Sequence, residues 1–160
     1  MISQYSYLVD VTAQLRINRH TGFWCRLPYP GHPDGCPQYG KRPSCPPQAP
    51  YIAEFIDLQQ PHWFLIIEFD FAEYLRYMLR KHPTWSVRRL RCLLYWQGSI
   101  RKIQYHQISS FQMEYPSTIA TLFPEAMGIN IFATLINLKI SFEKQPQQKV
   151  LKVALIGYPH

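Results

Sequence analysis

The segment HWFLIIEFDFAEYLRYMLRKH, running from His62 to His82, decides the fold. Its opening stretch, His62 to Phe69, is aromatic, β-branched and almost continuously apolar, which is the composition of a central strand buried on both faces. Asp70 then supplies a helix N-cap, a side-chain oxygen able to take an orphan amide of the first turn. In FAEYLRYMLRKH the residues Phe71, Leu75, Met78 and Leu79 recur at helical spacing, while Glu73, Arg76 and Arg80 fall away from that face and His82-Pro83 stops the helix. A strand feeding directly into an amphipathic helix is the signature of an α/β layer.

Working outward, KVLKVALIGYP (Lys149 to Pro159) reads as a second strand, and Tyr5, Tyr7, Val9 and Val11 alternate as in a first one. The stretch Val11 to Ile17 fits strand or helix equally. Tyr51 to Leu58 has the pattern of a short helix ended before Pro61. Ser86 caps VRRLRCLLYWQ, a helix with Val87, Leu90, Leu93, Leu94 and Gln97 on one face and Arg88, Arg91 and Tyr95 on another. Gly98-Ser99 either starts a new helix over Ile100 to Ile108 or is absorbed in one long helix at a cost of about 1 kcal/mol. Pro116 and Pro124 bracket a loop, STIATLF. Glu125 to Leu138 then reads as a helix entered through Met127-Gly128, with Gly128 in a turn and Ile131, Phe132, Leu135 and Leu138 as the buried stripe. A polar hinge, Gln145 to Lys149, leads to the last strand. The expectation is one α/β domain over residues 1–160, a single small sheet covered by helices with an irregular proline-rich cysteine loop.

That loop, CRLPYPGHPDGCPQYGKRPSCPP from Cys25 to Pro47, places three of the chain's four cysteines within 21 residues. Eight of the fourteen prolines lie between Pro28 and Pro50, so neither helix nor central strand can run through it. A segment that buries no apolar face needs another pin, and thiolates on a stiff backbone can supply one through a metal. Cys25, Cys36 and Cys45 are the candidate ligands, with His32 or Cys92 as the fourth. The cations Arg26, Lys41 and Arg42 favour thiolate formation. The spacing Cys-x10-Cys-x8-Cys is neither that of zinc ribbons nor that of bacterial ferredoxins. Incidental cysteines, or a Cys36 to Cys45 disulfide with two free thiols, are the competing readings. Cys92 in a helix also fits a small buried hydrophobe. His20 is the next histidine candidate, while His62, His82 and His106 read as capping, packing or surface groups.

Gly35 to Pro47 (GCPQYGKRPSCPP), taken with Pro124 to Leu135 (PEAMGINIFATL), resembles a family of predicted cysteine-rich metal-binding proteins of unknown function. The shared pattern is a Cys-Pro-x-Tyr-Gly-Lys…Cys-Pro-Pro loop followed by Glu-Ala-x-Gly-Ile-Asp/Asn. The resemblance spans roughly Cys25 to Leu138 and implies a bound metal. Members of that family carry a further cysteine group shortly before the second motif, whereas this chain has no cysteine after Cys92. Three clustered thiolates suit a cubane 4Fe-4S cluster with an exchangeable position, and a fourth Cys or His would suit structural zinc.

Charge adds a second theme. The net charge is +7, and from Tyr74 to Met113 there is no acidic residue, while Arg88, Arg91, Lys102 and five other cations fall within that stretch. Such a field attracts nucleic acid, an acidic protein or a phosphorylated ligand, or simply keeps the surface solvated. No phosphate loop, dinucleotide fingerprint, nucleophile elbow or His-Glu-x-x-His motif is present. No apolar run reaches membrane-spanning length and the N-terminus lacks the signal-peptide pattern, so the expected setting is cytoplasmic, where thiols stay reduced. Two functions follow as expectations: an iron–sulfur accessory or redox/sulfur-handling protein, or a basic nucleic-acid-binding module with a structural zinc site.

Overall fold

The computed structural model describes residues 4–28 and 32–160. Four strands, β1 (Gln4–Asp10), β2 (His62–Asp70), β3 (Ile119–Thr121) and β4 (Lys149–Gly157), form one antiparallel sheet in the order β1-β2-β4-β3. The helices are α1 (Ile52–Phe55), α2 (Phe71–Lys81), α3 (Val87–Leu90), α4 (Gln97–Glu114) and α5 (Ile131–Asn137), with short 3-10 helices at Arg19–Arg26, Leu93–Tyr95 and Pro124–Met127. The expected α/β class is therefore observed, with both expected strands side by side in one sheet. No helix among the described residues is long and apolar enough to cross a membrane.

Side chains alternate across a strand, so β2 builds two cores at once. Phe64 and Ile66 join Val153 and Leu155 of β4 against Ile52, Ile129, Leu135 and Val11. On the opposite face Leu65 packs with Ile108, Phe111 and Ile156, and Ile67 and Phe69 pack with Tyr74, Met78, Trp96 and Ile100. The first face carries α1, α5 and the N-terminal and cysteine loops; the second carries α2, α3 and α4.

Several elements differ from their sequence reading for physical reasons. Asp70 does cap α2, its carboxylate accepting from the Glu73 amide at 2.7 Å, but Tyr74 completes the buried stripe and Leu79 turns outward. The expected helix after Ser86 stops at Leu90. Arg91 bends back to the Pro146 carbonyl, to Gln147 Oε1 at 3.2 Å and over the Phe71 ring at 5.1 Å, and Trp96 turns inward to stack on Phe69 at 5.4 Å. These contacts outweigh helix periodicity, leaving Val87, Leu93 and Leu94 exposed. Helix α4 starts at Gln97 and carries Gly98 in its first turn. Within the expected loop STIATLF, Ile119–Thr121 pairs with β4 as a three-residue edge strand, too short for periodicity to reveal. The expected helix from Glu125 is split by Gly128, whose φ of 98° only glycine adopts readily, and Phe132 of the expected stripe is 41% exposed. Val11 to Ile17 is mainly turn, ending in an isolated bridge from Ile17 to Ile129.

Two outcomes follow. In Gly128→Ala the new Cβ would stand 2.8 Å from the Tyr51 ring. The left-handed backbone alone costs about 1–2 kcal/mol, so urea denaturation should give a lower midpoint with an unchanged slope. The second concerns Tyr7, whose hydroxyl donates to Glu68 at 3.1 Å; burial first, then that carboxylate, pushes its pKa up to about 12. A folded value above the unfolded value of about 10 contributes stability that is complete below about pH 10 and is lost as pH rises toward 12. Wild type should thus lose more stability than Tyr7→Phe between about pH 9 and about pH 11, read by denaturation at each pH.

Candidate metal centre

The cysteine loop is organised from its two ends. The Asn18 side chain caps the 3-10 helix Arg19–Arg26 by accepting from the His20 amide at 2.9 Å. That helix docks on Pro124–Met127 through the buried Thr21, whose hydroxyl donates to the Glu125 carbonyl at 2.6 Å. The Asn18 amide donates to the Gly128 carbonyl at 2.7 Å, and Arg19 lies 4.2 Å over the Tyr51 ring. Gly22 of that helix lies between the two pieces of the chain that carry the sequence resemblance, a Cβ built on it standing 3.4 Å from Pro46 and 3.7 Å from the Ala126 carbonyl oxygen, and Cys25 is fixed in the last turn of the docked helix.

Residues 29–31 lie outside the described part of the loop; beyond them the chain returns to Cys25. The Cys36 amide donates to the Cys25 carbonyl at 2.6 Å, a closure that Gly35 permits. With φ at 84°, Gly35 passes so near that a Cβ would lie 2.5 Å from the Cys25 carbonyl oxygen. The second half of the loop is stitched to itself: Gly40 N to Pro46 O at 2.8 Å, Cys45 N to Arg42 O at 2.9 Å, and Gln48 Nε2 to Gly40 O at 3.1 Å. Backbone bonds, not an apolar core, hold this segment.

Cys25, Cys36, Cys45 and Cys92 are all half-buried free thiols, so the alternative Cys36 to Cys45 disulfide is not formed. Cys36 and Cys45 lie close enough to Cys25 for their charge to oppose its ionisation. Burial pushes the Cys25 thiol up first, followed by Cys36, Cys45 and the Glu125 carboxylate. The expectation that Arg26, Lys41 and Arg42 would lower it is overturned at this cysteine, because desolvation and three acidic neighbours dominate while Arg26 leans toward the Tyr39 ring, 5.9 Å away. Glu125 reaches the surface, yet the packed atoms around it raise its own pKa, with Lys152 opposing that rise. Lys152 is shifted down by the same crowding. Among the described residues, no group of three or more His, Cys, Asp or Glu side chains is arranged to hold a metal ion.

The other sequence candidates lie elsewhere. His32 is exposed, its carbonyl accepting from the Gly35 amide at 3.2 Å. Cys92 sits between Leu90 and Leu93 and acts on Tyr74, on the helical face of the sheet. The structure does not bring it together with the loop cysteines. Arg88 and Lys102 are exposed, whereas Arg91 is committed to Pro146 and Gln147. Glu125 acts on Cys25 from a distant part of the chain, and its only signal in the sequence is its place directly after Pro124 in the second motif. Clefts flank the loop, one of about 210 Å³ beside Tyr39, Pro46 and Tyr51, the other of about 270 Å³ between Trp24, Glu125 and Lys152.

In comparisons with family models, curated proteins and solved structures, nothing matches this chain.

Gly35→Ala tests the closure of the loop. The substitution should force Cys36 away from Cys25, speed alkylation of both thiols and open the segment to protease, with a much smaller change in global melting. Equal alkylation rates in the variant and the wild type would show that this apposition does not govern access to the thiols.

Proposed function

We propose that the protein binds a metal through Cys25, Cys36 and Cys45, most simply as an iron–sulfur cluster, and serves as an accessory in redox or sulfur handling. The observation that carries this reading is the loop closure that returns Cys36 to Cys25, the Cys36 amide donating to the Cys25 carbonyl at 2.6 Å, within a loop whose three thiols are all free. Cys36, Cys45 and Glu125 each disfavour the ionisation of Cys25, and a bound cation would favour the thiolates instead. Thiol donors suit a thiophilic metal. An iron–sulfur cluster in such a setting supplies electron transfer or an exchangeable iron position. The chain's own part is to present the thiols from a backbone stiffened by proline, to tie that backbone to Pro124–Met127, and to leave clefts beside it for a partner or substrate. Zinc is the alternative occupant.

A second reading, a basic module that grips nucleic acid and uses zinc structurally, draws on the exposure of Arg88 and Lys102. The two readings separate on composition. Purified without oxygen, the iron–sulfur protein should be coloured and contain iron and acid-labile sulfide, whereas the zinc module should be colourless and contain zinc alone. Cys25→Ser, Cys36→Ser and Cys45→Ser should each sharply reduce bound metal and expose the loop to protease, and Cys92→Ala should retain both metal and protection. Protein prepared in this way with no metal, and with loop protection equal to that of the three serine variants, would overturn the metal reading.

A further inference from the structure

The helical face of the sheet holds a cavity of about 530 Å³ between α2, the Leu93–Tyr95 turn and the start of α4, with Phe69 at its floor. Its walls are aromatic: Tyr74, Tyr77, Trp85, Tyr95 and Trp96. Two of these, Tyr74 and Trp96, are 3% and 5% exposed, and their Oη and Nε1 atoms have no hydrogen-bond partner among the described residues. An indole N–H is only a donor, and a buried donor without an acceptor is costly enough to need an explanation. Both atoms are closed off even from water, so what these two side chains present to the cavity is ring surface.

The surroundings restrict that ligand. No carboxylate lines the cavity, Lys81 and His82 stand at its edge, and Arg89 lies 4.1 Å over the Trp85 ring while reaching Tyr95 Oη at 3.4 Å. Tyr77 and Tyr95, each 44% exposed, offer open ring surface at the mouth. Lys102 is one helical turn beyond the lining residue Ser99, so the positive field continues along α4. The complement of these features is a flat, π-rich body with an attached anion.

We propose that this cavity binds a nucleotide, with the heterocyclic base among the aromatic side chains and the phosphate at Lys81 and Arg89. Stacking on aromatic rings tolerates any base, and the basic rim selects the phosphate. The site is independent of the thiol loop, which lies on the other face of the sheet. The same chemistry is offered by a free mononucleotide and by a nucleotide within a single strand.

Isothermal titration of the full chain with adenosine monophosphate, with a short oligodeoxyadenylate and with ribose 5-phosphate distinguishes these cases. Saturable binding of the mononucleotide, the oligonucleotide or both, with none by ribose 5-phosphate at the same concentration, is the expected result. The oligonucleotide binding at least tenfold tighter identifies a strand as the source, and equal or weaker binding identifies the free nucleotide. Tyr77→Ala, which removes an exposed ring at the mouth, should weaken binding at least about fivefold, the loss of one stacking surface, while leaving the melting temperature nearly unchanged, and Lys81→Gln should flatten the salt dependence. Absence of saturable binding by both nucleotide probes, equal binding of ribose 5-phosphate, or full affinity in Tyr77→Ala would each overturn the proposal.

Discussion

The pairing of β2 with β4 is the constraint on which the rest of the structure depends. Nine residues of each strand are in register, from His62 opposite Gly157 to Asp70 opposite Lys149. Both strands are apolar on both faces, so a slip by one residue would not simply expose the core, and the usual penalty that fixes register is weakened. Polar contacts at the strand ends compensate. The Phe71 and Ala72 amides donate to the Gln148 carbonyl at 2.9 and 3.0 Å, and the Glu143 carboxylate accepts from Gln147, Gln148 and Lys149 amides just before β4 begins. That crowd of amides holds the Glu143 carboxyl below its ordinary range. Lys149 adds an ion pair to Glu68 at 3.4 Å, with both partners partly exposed, which makes it worth little in stability but useful in alignment.

The two faces of this sheet are covered by different physical means. On the helical face, burial of Tyr74, Met78, Trp96, Ile100 and Phe111 pins α2 and α4, so order there comes from packing. The opposite layer contains α5 and α1, but its outer shell is the cysteine loop, held by turns, proline and a few backbone bonds. A layer of that kind gains order from whatever its side chains bind, which links the conformation of the loop to the state of the thiols.

The division also separates two chemistries that the sequence interleaves. On one face Cys36, Cys45 and Glu125 oppose the ionisation of Cys25. The acid-free stretch that begins at Tyr74 wraps the other face, and there aromatic rings carry the cations: Arg89 on Trp85 and Arg91 on Phe71. A guanidinium on a ring is less hydrated and better oriented than one in open solvent, so the basic character of this half is partly built into its packing rather than scattered over its surface.

By itself the sequence determined the elements whose information is local. The apolar run His62 to Phe69, the Asp70 cap and the strand from Lys149 are legible because composition, period and capping chemistry agree within a few residues. It also determined that no helix or central strand could run through Cys25 to Pro47, since proline removes the needed donors. Only the tertiary structure decided what depends on partners distant in the chain. It ended α3 at Leu90 because the Pro146 carbonyl captures Arg91, made a strand of Ile119–Thr121 because β4 offered an edge, and set Glu125 beside Cys25 because Thr21 ties their segments together. It also sent Cys92 to the opposite face of the sheet from the three other cysteines, since the burial of Leu90 and Trp96 on either side of it fixes that turn, and no spacing along the chain records which side of a sheet a helix will cover.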